Sequence, residues 1–459
     1  MATEPSATAR RRGWALAFLA LCLGVGLAAR LGAAAIPNLF PSLTLSGRSV
    51  SWWADKPLFP DSLEYIRMAN HFAAGDGLIT DRAGRIARMP AYPVFIAAVY
   101  AVFGESILVL RVADAVLGTV AILLAYVLAK RLFGGGAGLA AAAIMAVYPF
   151  FVIQALLVLS ETLFVVFLLA GAACLARAYG GGGGYLVWAG LAGLGLALAT
   201  LTRGSFLYVA PLTAAGWVLA GRFGRPAVLG ACAMLAAFAL AMMPWVVRNW
   251  RASDGHLVVT TLRVGPSLYE GLNPRATGGP MMDRINWDEG TQGMGEWERD
   301  RYWRRRAIEW AWENPGPTLA LAANKLGRFW SPMPNLDQLR GTAPCALLAL
   351  SYGLVMAFAI VGILRSWRRA DVALILLLPV VYYCLLHMVF VGSVRYREAV
   401  MPLLVVVAAH GLEGAWRRWR RGSPAAHGAG AGVQRGRDRG APAGAGAGGG
   451  PGQAGGGGG

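Results

Sequence analysis

Apolar and polar stretches alternate along the chain with a long period. Runs poor in charge lie at about 13–34, 107–129, 137–153, 161–178, 186–201, 204–220, 227–247, 343–364, 371–392 and 399–415. The core of a bilayer takes about 20 apolar residues per helix, so the pattern predicts ten membrane-spanning helices. The first run follows Arg10, Arg11 and Arg12 as a signal peptide would. Its length and the many runs after it predict a retained helix instead. Two long stretches interrupt the alternation, at about 35–106 and 248–341. Inside the first, residues 92–103 form an apolar segment too short to span. It is expected to be interfacial or re-entrant, with Pro90 and Pro93 fixing its entry and Tyr92 at headgroup level. Inside the second, GEWERDRYWRRRAIEWAWENPG predicts a helix stopped at Asn314 by Pro315. Its tryptophans and arginines suit a membrane surface.

Composition supports the same class: 56% hydrophobic residues, 14% charged residues and a mean hydropathy of +0.51 exclude a soluble globular domain. The expected fold is an all-α polytopic membrane protein of about ten helices with two long outer loops. Residues 1–12 form a basic N-terminus, 13–415 the membrane domain, and 416–459 a basic and then Gly/Ala-rich tail too poor in apolar surface to fold. A cytoplasmic N-terminus places Lys130, Arg131, Arg177, Arg222, Arg225, Arg365, Arg368, Arg369 and the arginines at 417–421 on the cytoplasmic side. Both long loops then face outward.

The formal charge of +18 raises the question of nucleic acid. The basic residues flank apolar runs, with no nucleic-acid-binding module between them, so anionic lipid headgroups are the expected partners and nucleic acid is not. Cys22, Cys174, Cys232, Cys345 and Cys384 lie within apolar runs without CxxC spacing, which predicts neither a disulfide framework nor a metal site.

Candidate chemistry sits in the outer segments. In FPDSLEYIRM, Asp61 and Glu64 have the spacing of an N-cap and an N3 acid. A helix starting there also sets Glu64, Tyr65 and Met68 on neighbouring positions, so that a carboxylate and a phenol share a face. Arg88, Arg203, Arg248, Arg395 and Arg397 fall at outer helix ends. There they either snorkel to headgroups or grip a lipid phosphate. Glu161 heads the fourth run after Ser160, as a first-turn acid or a second cavity carboxylate. LYEGLNPRATG, with Tyr269 and Asn273, has turn chemistry suited to the wall of a cleft.

Seven pieces in order resemble one family: PDSLEY, RMPAYP, LSETLF, LTRGS, MPWVVRNW, LYEGLNPRATG and GSVRYREAVMP. They are similar to the polytopic GT-C glycosyltransferases, in particular the bacterial relatives of protein O-mannosyltransferases and of the aminoarabinose transferase that modifies lipid A. The resemblance runs over residues 13–415. It implies transfer of a sugar from a polyprenyl phosphate to an acceptor hydroxyl on a lipid, glycan or protein, with inversion. The site would face outward from a bacterial cytoplasmic (inner) membrane. Asp61 matches the family's catalytic aspartate; members often have Glu directly after it, whereas here Ser62 follows and Glu64 comes later. Glu161 joins Asp61 and Glu64 as catalytic candidates. Arg88, Arg203, Arg248, Arg395 and Arg397 are candidates for the donor phosphate, and Tyr65, Tyr92, Tyr269 and Asn273 for the cleft. No cofactor and no metal ligand set is expected; the lipid-linked sugar is a substrate. A transporter or flippase of a polar lipid is the alternative from another class. Its ionisable residues belong near mid-membrane, whereas these crowd helix ends. A catalytically inactive scaffold of the same fold is the third.

Overall fold

The computed structural model describes residues 7–40, 42–45, 48–51, 59–80, 84–334 and 342–422. The expected tail lies largely outside them. In chain order the elements are α1 (Ala7–Leu39), β1 (Ser42–Leu45), β2 (Arg48–Ser51), α2 (Pro60–Ala74), α3 (Ala91–Phe103), α4 (Ile107–Phe133), α5 (Gly135–Val147) and α6 (Pro149–Leu157). There follow α7 (Glu161–Tyr179), α8 (Tyr185–Thr202), α9 (Val209–Ala220), α10 (Arg225–Ala252), α11 (Val264–Gly271), α12 (Glu296–Glu313), α13 (Pro315–Phe329) and α14 (Ala343–Ser366). Last come α15 (Ala370–Val389), which contains a π-helical turn at Ala373–Leu377, and α16 (Val394–Gly422). The strands form one antiparallel hairpin, Ser42 opposite Ser51, that the apolar pattern did not announce.

The chain is a helical membrane protein. Among the described residues, eight helices are long and apolar enough to cross a bilayer: α1 from Arg12, α4, α7, α8, α10, α14, α15 and α16 up to Arg420. Two of the ten predicted runs differ. The run at 137–153 is α5 and α6, bent by 50° at a break where Pro149 cannot continue the hydrogen-bond ladder. The run at 204–220 opens as a 3₁₀ turn at Gly204–Phe206, which leaves α9 only 12 residues. The Trp- and Arg-rich helix ends as expected, α12 at Glu313 with Pro315 opening α13.

Packing follows membrane rules, with small residues where backbones approach. Added Cβ atoms would strike the Met234 carbonyl at Gly193 and the Gly171 backbone at Gly195, where α8 meets α10 and α7. α16 is apolar all round between Ala399 and Ala409, and it is buried as such a helix must be. The approach of α14 depends on Gly362, where a Cβ would strike the Val407 carbonyl. All five cysteines are free. Contacts divide the chain into Met1–Glu413 and Gly414–Gly459; in the second part, Arg420 stacks on Trp416, whose ring lies 5.0 Å from Trp419.

Candidate active site

Pro60 occupies the first position of α2, where its fixed φ and missing N–H cost nothing. The N-cap is Phe59, and no side chain caps the helix. The expected capping role of Asp61 is therefore not observed: Asp61 is one residue inside the helix, and its carboxylate turns to arginines. Oδ1 accepts from Arg88 Nη2 at 2.7 Å, and Oδ2 from Arg395 Nη1 at 2.8 Å. Ser62 is buried, with Oγ 3.0 Å from the Leu157 carbonyl, tying α2 to the end of α6.

From Asp61 the ion pairs extend both ways. Arg88 also grips Glu64 Oε2 through Nε at 2.9 Å, and Arg263 Nη1 meets Glu64 Oε1 at 3.1 Å. On the other side Arg395 Nε donates to Glu161 Oε1, which lies 3.0 Å from Arg203 Nη1. Arg203 Nε in turn donates to the Tyr383 hydroxyl at 3.0 Å. The sequence Arg263, Glu64, Arg88, Asp61, Arg395, Glu161, Arg203 is thus a row of alternating charge, four cations against three anions. Burial alone would raise the Asp61 carboxyl, but Arg88 and Arg395 outweigh it and hold the group well below the usual carboxylate range.

Aromatic rings floor the row. Arg88 stacks on Tyr65 at 5.3 Å, Arg395 on Phe59 at 5.7 Å and Arg203 on Tyr396 at 5.6 Å. The segment carrying Arg88 is pinned on several sides: Glu296 accepts from the Arg85 and Ile86 N–H groups, and the Ile86 carbonyl accepts from the Leu262 N–H at 2.8 Å.

The structure brings six of the residues singled out in the sequence into this row: Asp61, Glu64, Glu161, Arg88, Arg203 and Arg395. Tyr65 lies beneath it. Tyr92 is buried rather than at a headgroup position, edge-on to Tyr65 at 5.2 Å and 3.3 Å from Asp114 Oδ2 of α4. Its ring fills the α2–α3 packing, which the sequence pattern does not reveal. Arg248 binds the Arg85 and Leu78 carbonyls and stacks on Trp245, so it supports the Arg88 segment rather than joining the row. Arg397 pairs with Glu398 at 2.7 Å. Tyr269 packs on Trp303 at 4.7 Å, and Asn273 closes its own turn onto the Tyr269 carbonyl at 2.7 Å. Arg263 was not singled out. It takes the N-cap position of the short helix α11, which the apolar pattern does not announce, and 199 positions separate it from Glu64. Among the described residues, no group of three or more His, Cys, Asp or Glu side chains is placed to hold a metal ion.

Comparisons with known proteins agree with this architecture. The family model for dolichyl-phosphate-mannose-protein mannosyltransferase matches residues 87–249. The archaeal oligosaccharyltransferase AglB from Archaeoglobus fulgidus, in complex with an inhibitory peptide and a dolichol-phosphate, aligns with a TM-score of 0.54 at 16% identity, over 91% of this chain and 52% of that one. The chain has a GT-C glycosyltransferase fold. An Archaeoglobus fulgidus oligosaccharyltransferase in the apo form aligns with a TM-score of 0.55 at 17% identity, over 90% of this chain and 52% of that one. ArnT from Cupriavidus metallidurans bound to undecaprenyl phosphate aligns with a TM-score of 0.40 at 15% identity, over 88% and 78%. The chain spans about half the length of the archaeal structures it matches. No curated protein matches it by sequence.

Proposed function

We propose that this chain is a membrane glycosyltransferase that moves a sugar from a polyprenyl phosphate to an acceptor hydroxyl at the outer face of a bacterial cytoplasmic membrane, with inversion. One observation carries the reading. Asp61 stands at the head of a helix outside the spans, shared between two arginines that belong to a cation-rich row. The AglB structure holds a dolichol-phosphate, and the same class of lipid phosphate suits this row.

The chemistry assigns the parts. The acceptor oxygen attacks the anomeric carbon from the side opposite the phosphate, and its proton passes to Asp61 as general base. The bond from anomeric carbon to phosphate oxygen breaks, and its electron pair leaves with the polyprenyl phosphate. That leaving group gains charge in the transition state, where fixed guanidinium groups stabilise it most. Arg395 and Arg203 face it in this reading, with Arg88 between the phosphate and Glu64. The arrangement has a further logic: the arginines that keep Asp61 ionised also weaken it as a base. A phosphate that draws Arg395 away from Asp61 restores its basicity at the moment the donor is in place.

The decisive measurement is sugar transfer by the purified chain in lipid, supplied with polyprenyl-phosphate sugars and hydroxyl acceptors. Release of free polyprenyl phosphate in step with glycosylated product supports the reading. Lipid movement across the bilayer with the donor chemically unchanged would sink it in favour of a flippase.

A further inference from the structure

The turn between α15 and α16 is gripped from three sides. Lys325 of α13 is fully buried, with Nζ 2.6 Å from the Val389 carbonyl oxygen. At i+3 on the same helix, Arg328 Nε donates to the Gly392 carbonyl at 3.1 Å. From the second long loop, the Gly278 carbonyl accepts from the Gly392 N–H at 3.0 Å. His387 closes its own end of the turn, with Nδ1 2.9 Å from the Val391 carbonyl. Gly392 lies so close to α13 that a Cβ would strike the Lys325 backbone.

An ammonium is an expensive way to fill this space. Burial lowers Lys325 to about 8. Among the described residues, no carboxylate stands within ion-pair distance of it. Packing alone is served as well by a methionine of similar length, without the desolvation cost. What a cation adds is a firm bond to the last carbonyl of α15, where helix carbonyls lack partners and the dipole favours positive charge. The secured turn leads directly into Arg395, whose backbone N–H donates to Ser393 Oγ at 3.3 Å and whose guanidinium bridges Asp61 and Glu161.

We infer that Lys325, seconded by Arg328, is a positioning residue: it fixes the 390–393 turn so that Arg395 is aimed at once at Asp61 and at the donor phosphate. This rests on the donor-phosphate reading above. It also makes α13 and the Gly278 segment part of the donor site's scaffold, although neither touches the row of charges.

A double-mutant cycle separates this from a general structural role. Binding of undecaprenyl phosphate to the full chain in lipid is measured for wild type, Lys325→Met, Arg395→Ala and the pair. The expected result is a roughly tenfold loss for Lys325→Met in the presence of Arg395 and no further loss in its absence, within the coupling range of connected residues. An equal loss in both backgrounds, or none in either, overturns the inference. Arg328→Gln replaces Lys325→Met if the latter folds poorly, with the same two outcomes. If wild type fails to bind undecaprenyl phosphate, the donor reading falls, and the same cycle read on thermal unfolding decides the inference alone. Sub-additive losses support the link between Lys325 and Arg395; additive losses end it.

Discussion

Arg395 and Arg397 lie two residues apart at the start of α16, so their side chains leave the helix on nearly opposite sides. Arg395 is 27% exposed and divides itself between Asp61 and Glu161, which come from α2 and α7. Arg397 is fully buried: it pairs with its neighbour Glu398, donates to the Ser331 carbonyl at 2.6 Å and lies 3.8 Å from the centre of the Tyr352 ring. The first arrangement is open, shared and one positive charge in excess along its row. The second is closed and locally neutral. A phosphate can exchange for a carboxylate in the first, because solvent reaches it and the partners are already competing. In the second, every approach is blocked by the packing that makes it stable. The difference teaches that an arginine's use depends on which helix phase it occupies, and a short motif does not state that phase.

The sharpest way to break the contrast is to remove each arginine. Arg397→Ala leaves Glu398 buried without its ion partner and is expected to cost about 3–5 kcal/mol, which shows as lost folded protein and a lower unfolding temperature. Arg395→Ala is expected to keep the fold, since its carboxylates retain Arg88 and Arg203. Equal destabilisation by the two would erase the distinction between an exchangeable and a structural cation.

Next in size is the effect at Asp61, the proposed base. Asp61→Asn preserves shape at the second position of α2 and removes proton acceptance, so transfer is expected to slow by about 100-fold or more in a rate assay, with the protein still folded. Glu64→Gln is the companion variant. Glu64 bonds Arg88 and Arg263 on the far side of the row, so its loss should weaken transfer less than that of Asp61. The reverse order would move the base to Glu64.

A smaller effect is expected on binding. If Arg395 holds the donor phosphate as proposed, Arg395→Ala removes one charge-assisted contact worth about 1.5–3 kcal/mol and should weaken affinity for a polyprenyl phosphate roughly 10- to 100-fold. Arg248→Ala, at a residue that supports the Arg88 segment from outside the row, should weaken it less.

Much of this was legible in the sequence. Apolar run length finds most of the helices because bilayer thickness sets their length, but the pattern reads the run at 137–153 as one span and misses its bend at Pro149. Asp61, Glu161, Arg88, Arg203 and Arg395 stand out because ionisable groups at helix ends in an apolar chain are few. Three features were not legible. Phe59 takes the N-cap, because Pro60 prefers the first helical turn over the position before it. Arg263 carries no local signal, since only the folding of the second long loop brings it to Glu64. Arg397 shares a short motif with Arg395, and only the rotation of about 200° between i and i+2 of the helix sends it to the other side.

The smallest expected effect is on acid stability, and it sharpens the comparison without an activity assay. Arg88 and Arg395 outweigh burial and hold Asp61 below its usual range. A depressed carboxylate contributes stability that is fully present above its unfolded value, about pH 4, and that is lost as pH falls below it. Asp61→Asn lacks this contribution at every pH. The stability gap between wild type and Asp61→Asn should therefore be constant from pH 7 down to about pH 5 and close progressively in more acid solution. Thermal unfolding in detergent across that range measures it. A gap that widens with acid would mean that Asp61 is held neutral rather than ionised. The arginines would then have to be bound elsewhere, and Asp61 would enter the reaction as a proton donor instead of a base.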